Sequence, residues 1–201
     1  GNGFEQARQH LHLAQQLEVP RAQADVVAER LRSREAAHAG IDALVAQAEQ
    51  ARLDGRYLSV AGAPSNMVGA LPLYQRILAL QPDRAEALRG REDALSAMLE
   101  QARDHMRAGR LEEAARLIAM ARDFDAGHVD LPDTEARFTE ERDALRRRAA
   151  SDLAQGRIDR AVTGWRALLA LGDSDAEALR GLQQAALAHA ARAQRLAGDF
   201  Q

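Results

Sequence analysis

Apolar and small residues recur along this chain at helical spacing, and the recurrence itself repeats. Leu111, Ala114, Ile118 and Ala121 form one set. Ile158, Ala161, Trp165 and Leu168 repeat it, as do Met67, Ala70, Tyr74 and Ile77, and Phe4, Ala7, Leu11 and Ala14. Steps of three and four residues put each set on one face of a helix, and no stretch alternates apolar with polar as a half-buried strand would. A companion group, Leu44, Ala48 and Ala51, then Met98, Ala102 and Met106, then Leu145, Ala149 and Leu153, keeps the same period. The pattern predicts an all-α chain of about eight helices, near residues 4–17, 21–54, 67–80, 84–108, 111–124, 133–155, 158–170 and 175–197.

The punctuation between these segments recurs as well. Gly55-Arg56, Gly109-Arg110 and Gly156-Arg157 each follow a member of the companion group. Glycine takes the left-handed conformation that closes a helix, so each pair reads as a stop and a tight turn into the next helix. Leu80 to Gly90 and Leu171 to Gly181 agree at seven of eleven positions, each passing through a Pro or Asp stop into a helix whose first turn is acidic. Ala48 and Ala70 are 22 positions apart where the equivalent pairs are 12 apart, which marks a ten-residue insertion at 57–66 with loop composition. Gly90 and Gly181 fall inside helices at equivalent positions, where a close approach by a neighbouring helix is expected. The 21–54 stretch reads as one very long helix, with a split or bend at Gly40 as the alternative.

Composition narrows the picture. Of 201 residues, 46% are hydrophobic but only 3% aromatic, so the core is built from Ala and Leu and its helices lie close together. Without cysteine there is no disulfide or thiolate chemistry. All 27 basic residues are Arg, most simply a result of GC-rich coding, and the net charge of −3 argues against a nucleic-acid partner. No apolar run is long enough to span a membrane in this chain. The register at Gly1 falls within a repeat, so an upstream continuation, with room for a membrane anchor or signal, is expected.

These residues resemble the tetratricopeptide repeat. The family's small residue of the first helix, turn glycine, second-helix Ala, large apolar residue and Ala correspond here to Ala102, Gly109, Ala114, Ile118 and Ala121. The closing Pro is kept as Pro82 and replaced by Asp173 after Trp165. The resemblance implies one helical-hairpin solenoid over 1–201: a half repeat at 1–40, repeats at about 41–82, 92–132 and 139–173, and a capping helix at 175–197. The insertion and the helix after it are also similar to a variant from extracytoplasmic regions of single-pass membrane proteins of Gram-negative bacteria, including sensor parts of serine/threonine kinases. That likeness implies a periplasmic placement; a cytoplasmic one is the alternative.

Candidate chemistry is sparse. His10 and His12 diverge on a helix, no histidine pair has metal-ligand spacing, and the six histidines are expected at surface or boundary positions. Glu112-Glu113 and Glu140-Glu141 are adjacent rather than facing. No phosphate loop or nucleophile elbow is present. Arg142, Arg146, Arg147 and Arg148 read as a salt-bridged helix surface with Glu140, Glu141 and Asp143, and Trp165 as core. The chain is therefore expected to be non-enzymatic and to need no cofactor or metal. In the family's register the first helices line a concave groove, carrying here Val45, Glu49 and Arg52, then Leu99, Arg103 and Met106, then Arg146, Ala150 and Leu153. Mixed apolar and charged side chains suit a protein or peptide partner. Arg103, expected on an exposed helix surface, is its sharpest candidate, with Arg147 off the groove. A cytoplasmic assembly scaffold, such as a secretion-system or co-chaperone adaptor, and a small-ligand sensor are the competing readings.

Overall fold

The structure, a computed structural model, describes residues 2–16, 21–59, 67–172 and 175–198. It is all-α. Eight helices are present among the described residues: α1 Asn2–Gln16, α2 Arg21–Leu53, α3 Ala70–Leu80, α4 Ala85–Arg107, α5 Leu111–Phe124, α6 Leu131–Ala154, α7 Ile158–Ala170 and α8 Ala176–Gly198. Most of the inserted loop, and Asp173, lie outside the described residues.

One expected boundary is corrected, and the long second helix is found as expected. α3 begins at Ala70 rather than 67, after an extended Gly69, and Met67 is half exposed instead of buried. Pro72 is the third residue of this helix, where its missing N–H costs nothing, because the first-turn amides have no intrahelical acceptor. Leu71 and Leu73 provide the buried contacts that Met67 does not. α2 runs unbroken for 33 residues through Gly40, where nothing lies near the glycine and one weak helix former does not interrupt the hydrogen-bond ladder.

The chain divides into two compact units, residues 1–94 and 95–201, with the boundary inside α4. In unit 1, α2 packs on both α1 and α3. In unit 2, α6 packs on α5 and α7, and α7 on α8. Each unit is thus built from helices that touch their sequence neighbours.

The three Gly-Arg turns are identical in construction. Gly55, Gly109 and Gly156 have φ of 69, 74 and 72°. Each glycine N–H donates to the carbonyl three residues back, and the following Arg N–H donates five back: Arg56 to Ala51 at 2.9 Å, Arg110 to His105 at 2.8 Å, Arg157 to Asp152 at 2.8 Å. This double closure satisfies the carbonyls orphaned at a helix end, and only glycine adopts the required φ freely.

The repeated sets form the core. Ala70, Tyr74 and Ile77 in unit 1 are buried, as are Leu111, Ala114, Ile118, Ala121, Ile158, Ala161, Trp165 and Leu168 in unit 2. Small residues let the helices approach: a Cβ on Gly164 of α7 would stand 2.9 Å from Ala149 Cβ of α6. Gly90 and Gly181 do have a packing reason, but its agent is an aromatic ring rather than a helix backbone. A Cβ at Gly90 would overlap the Tyr74 ring, and one at Gly181 the Trp165 indole. The same register position in α6 is Thr134, fully buried, opposite the smaller Ile118. Ring volume on one helix is matched by side-chain volume on the next.

Candidate functional site

The nine groove residues divide between the units, three in unit 1 and six in unit 2. In unit 1, Glu49 and Arg52 are one turn apart on α2. The Glu49 carboxylate accepts the Tyr74 hydroxyl at 2.6 Å and the Arg52 guanidinium at 2.8 and 3.1 Å. Burial pushes the Glu49 carboxyl up, but the hydrogen bonds from Tyr74 and Arg52 together outweigh it and hold it below the usual range. Tyr74, buried beside that carboxylate, has its hydroxyl pushed up, by desolvation first and then by its bond to Glu49. Val45 is half-buried on the same helix. The cluster is a closed arrangement in which each charged group already has its partner.

In unit 2 the placement differs from expectation for three residues. Leu99 and Met106 are buried, Leu99 completely, because their side of α4 carries core contacts and not solvent. Arg103 is only 17% exposed. Its Nη1 donates to Thr134 Oγ1 at 3.0 Å and its Nε to Glu100 at 2.8 Å, so it ties α4 to α6 instead of standing free. Sequence could not reveal this, because Thr134 is 31 positions away. Ala150 is exposed, and Leu153 is half-buried against the Trp165 cluster.

Arg146 is a bridge. Its guanidinium donates to Asp175 at 2.7 Å and Asp143 at 2.6 Å and lies 3.1 Å from Glu177. Asp175 also caps α8 by accepting the Glu177 and Ala178 amides, and those amides, Ala178 first, together with Arg146 hold its carboxyl low. Of the Arg cluster, Arg142 and Arg146 pair with Asp143 as expected, and Arg146 reaches Asp175 and Glu177 at the start of α8 rather than Glu140 and Glu141. A similar polar link stands ahead of α4 and of α6: Arg84 donates to Asp42 at 2.7 Å, and Ser96 donates to Asp130 at 2.7 Å. His128 departs from the expected surface position. It is buried beside this second link, and its Nδ1 accepts the Asp130 amide at 3.2 Å.

One concavity uses predicted residues. Arg103 and Met106 of α4, with Arg107, Arg137, Glu140 and Glu141, line a cleft of about 220 Å³ in unit 2. Arg107 and Arg137 were not singled out from the sequence; the available signal was their position next to the groove register on α4 and α6. Both arginines engage exposed acids of their own helices, Arg107 with Glu100 at 3.0 Å and with Asp104, and Arg137 with Asp133 at 2.9 Å. Arg107, then Arg103, keeps the Glu100 carboxyl below its ordinary range. Such surface pairs are weak and exchange readily with an incoming charged group.

Among the described residues no group of three or more His, Asp or Glu is placed to hold a metal ion, and no helix is long and apolar enough to cross a membrane. Comparison with protein families, with curated proteins and with solved structures finds no match.

Proposed function

We propose that this chain is a tetratricopeptide-like solenoid that acts without catalysis as a protein- or peptide-binding module. The observation that carries the reading is the α4–α6 cleft of unit 2. Its lining combines the thioether of Met106 with two arginines, Arg107 and Arg137, that pair with exposed acids of their own helices. A side chain of an extended or helical segment fits such a cleft. At about 220 Å³ it is smaller than the roughly 300–1,000 Å³ typical of sites that enclose a small molecule, which favours the peptide over the small-ligand reading. We further propose that the module belongs to the extracytoplasmic sensor or interaction region of a membrane-anchored bacterial signalling protein. The cytoplasmic scaffold reading shares the binding chemistry and differs in compartment.

Panning a random-peptide library on the protein, followed by calorimetric titration of enriched sequences, tests the binding. The expected result is saturable binding that is lost in the double substitution Arg107→Glu, Arg137→Glu while helicity and melting temperature are kept. No enrichment, or equal binding to the double variant, rejects the cleft. A periplasm-dependent reporter fused to the native full-length protein decides the compartment.

A further inference from the structure

Three positions recur in one register at each joint of the chain. The first, on the helix that ends at a turn glycine, is Glu49, Arg103 or Ala150. The second, on the helix that follows, is Tyr74, Ile118 or Trp165, and the third, on the helix after that, is Gly90, Thr134 or Gly181. Each set of three lies within one unit. At the first two joints the side chain from the first position meets a polar atom of the other two. Glu49 accepts the Tyr74 hydroxyl at 2.6 Å, and the Tyr74 ring lies on Gly90. Arg103 donates to the Thr134 hydroxyl at 3.0 Å, where Ile118 has no polar atom to offer.

The third joint keeps the polar atom and lacks its partner. Trp165 is 3% exposed, and its indole N–H is sealed from solvent with no hydrogen-bond acceptor. A Cβ at Gly181 would overlap the indole nitrogen, as one at Gly90 would overlap the Tyr74 oxygen, so both rings turn a polar edge to the same place. The residue that stands where Glu49 answers Tyr74 is Ala150, which is exposed and ends at its methyl. Buried donors are almost always paired, and leaving one unpaired costs the full desolvation of the group. An acceptor from outside the chain can reach it. Glu49 is 35% exposed and still bonds the hydroxyl of a fully buried Tyr74, so such a joint is one side chain deep.

The charge of that acceptor follows from its surroundings. The Glu49 carboxylate is balanced by Arg52, whose counterpart here is Leu153, packed against the Trp165 cluster. Arg146, one turn before Ala150, is already engaged by Asp143, Asp175 and Glu177. A carboxylate entering here would lose water without gaining a counter-ion, and would add to three acids already grouped around one arginine. A neutral carbonyl oxygen has no such cost. We propose that the face of α6 at Ala150 is a binding position for an uncharged amide carbonyl, which accepts the Trp165 indole N–H as Glu49 accepts the Tyr74 hydroxyl. A peptide main chain and a Gln or Asn side chain both carry this group. The position shares no residue with the α4–α6 cleft and does not depend on it.

Trp165 is the only tryptophan, so its indole N–H gives a single cross peak in a nitrogen–proton correlation spectrum, and that peak reads the proposal directly. Three probes are titrated: N-methylacetamide for a peptide unit, propionamide for a glutamine side chain, and propionate as the charged control. One or both amides should move the peak downfield to saturation, the stronger of the two identifying the source, and propionate should leave it in place. Ala150→Gln, a change at an exposed helix position, supplies the carbonyl from α6 itself, so its peak should lie downfield without any probe and respond to none. Arg107→Glu combined with Arg137→Glu should respond to the amides as the wild type does, which separates this position from the peptide cleft. A wild-type peak that neither amide moves, a response to propionate equal to that of the amides, or an Ala150→Gln peak that still behaves as the wild type would each overturn the proposal. A wild-type peak already downfield and exchanging with a bound water would do so too, by naming water as the acceptor.

Discussion

The phenol ring of Tyr74 fills the space that a side chain at residue 90 would need, so Gly90 is the floor on which the ring lies. Trp165 and Gly181 stand in the same relation ninety-one positions later in sequence. Replacing either glycine by alanine removes a helix penalty of about 1 kcal/mol, but the added methyl collides with a ring that is itself buried. Gly90→Ala and Gly181→Ala should therefore lower stability by roughly 1–3 kcal/mol, read by thermal or urea unfolding. The Ile118 and Thr134 pair supplies a compatible alternative, so Trp165→Ile combined with Gly181→Thr should cost less than the sum of the two single changes. Additive costs would show that ring and floor do not share one space.

The turn glycines and Gly40 should respond with opposite signs. Alanine at Gly109, where φ is 74°, forces a left-handed conformation and should cost about 1–2 kcal/mol. Gly40 lies mid-helix with nothing near it, and Gly40→Ala should stabilise by up to about 1 kcal/mol. Melting temperatures of the two variants, compared in one buffer, decide the matter; a shift in the same direction would mean that one of the two backbones is misassigned.

The Glu49 and Tyr74 pair predicts losses at both ends of the pH range. The Glu49 carboxyl is held below its ordinary 4.5, so its contribution is present above that pH and fades as pH falls below it. The Tyr74 hydroxyl is held above its ordinary 10.0, so its contribution is full below that pH and fades as pH rises beyond it. Tyr74→Phe should cost about 1 kcal/mol at neutral pH, since Glu49 is partly solvated, and should flatten the alkaline limb of a stability-against-pH curve. An alkaline limb unchanged in the variant would assign that loss to other groups.

Arg103 and Arg147 should separate clearly in stability. Arg103→Glu removes the donor to the buried Thr134 hydroxyl and brings a carboxylate toward Glu100 and Asp133, which should cost roughly 1–3 kcal/mol. Arg147 is exposed, and Arg147→Glu should stay within about 0.5 kcal/mol of the wild type. Denaturant midpoints of the two proteins provide the check. Equal midpoints would return Arg103 to the surface role its sequence position suggests.

What could be read from the chain follows from how local each cause is. Helix ends were legible because a left-handed glycine, an acidic first turn or a proline acts within a few residues. The small-residue register was legible because Ala114 and Ala161 recur at one spacing, and both are fully buried. The groove was less legible. Helical period says which side chains share a face, not what covers that face, so a groove register that includes Leu99 and Met106 runs into the core, where both are buried. Arg103 shares a face correctly but owes its fixed position to Thr134, and Arg146 owes its own to Asp175, just ahead of α8. Met67 failed for a subtler reason: Pro72 and the extended Gly69 set the start of α3 downstream of the repeat period.

The polar links ahead of α4 and α8 have a consequence for how such a chain can change. In one the acid, Asp42, is on the earlier helix and the arginine, Arg84, stands at the later helix's start; in the other Arg146 is on the earlier helix and Asp175 at the start. A segment copied from one place to the other would therefore set arginine against arginine, or acid against acid, at a half-buried joint. Units that look alike in their apolar register are thus not exchangeable parts: the charge at each joint labels its neighbour, and duplication or recombination within the gene would have to carry both halves of a link together.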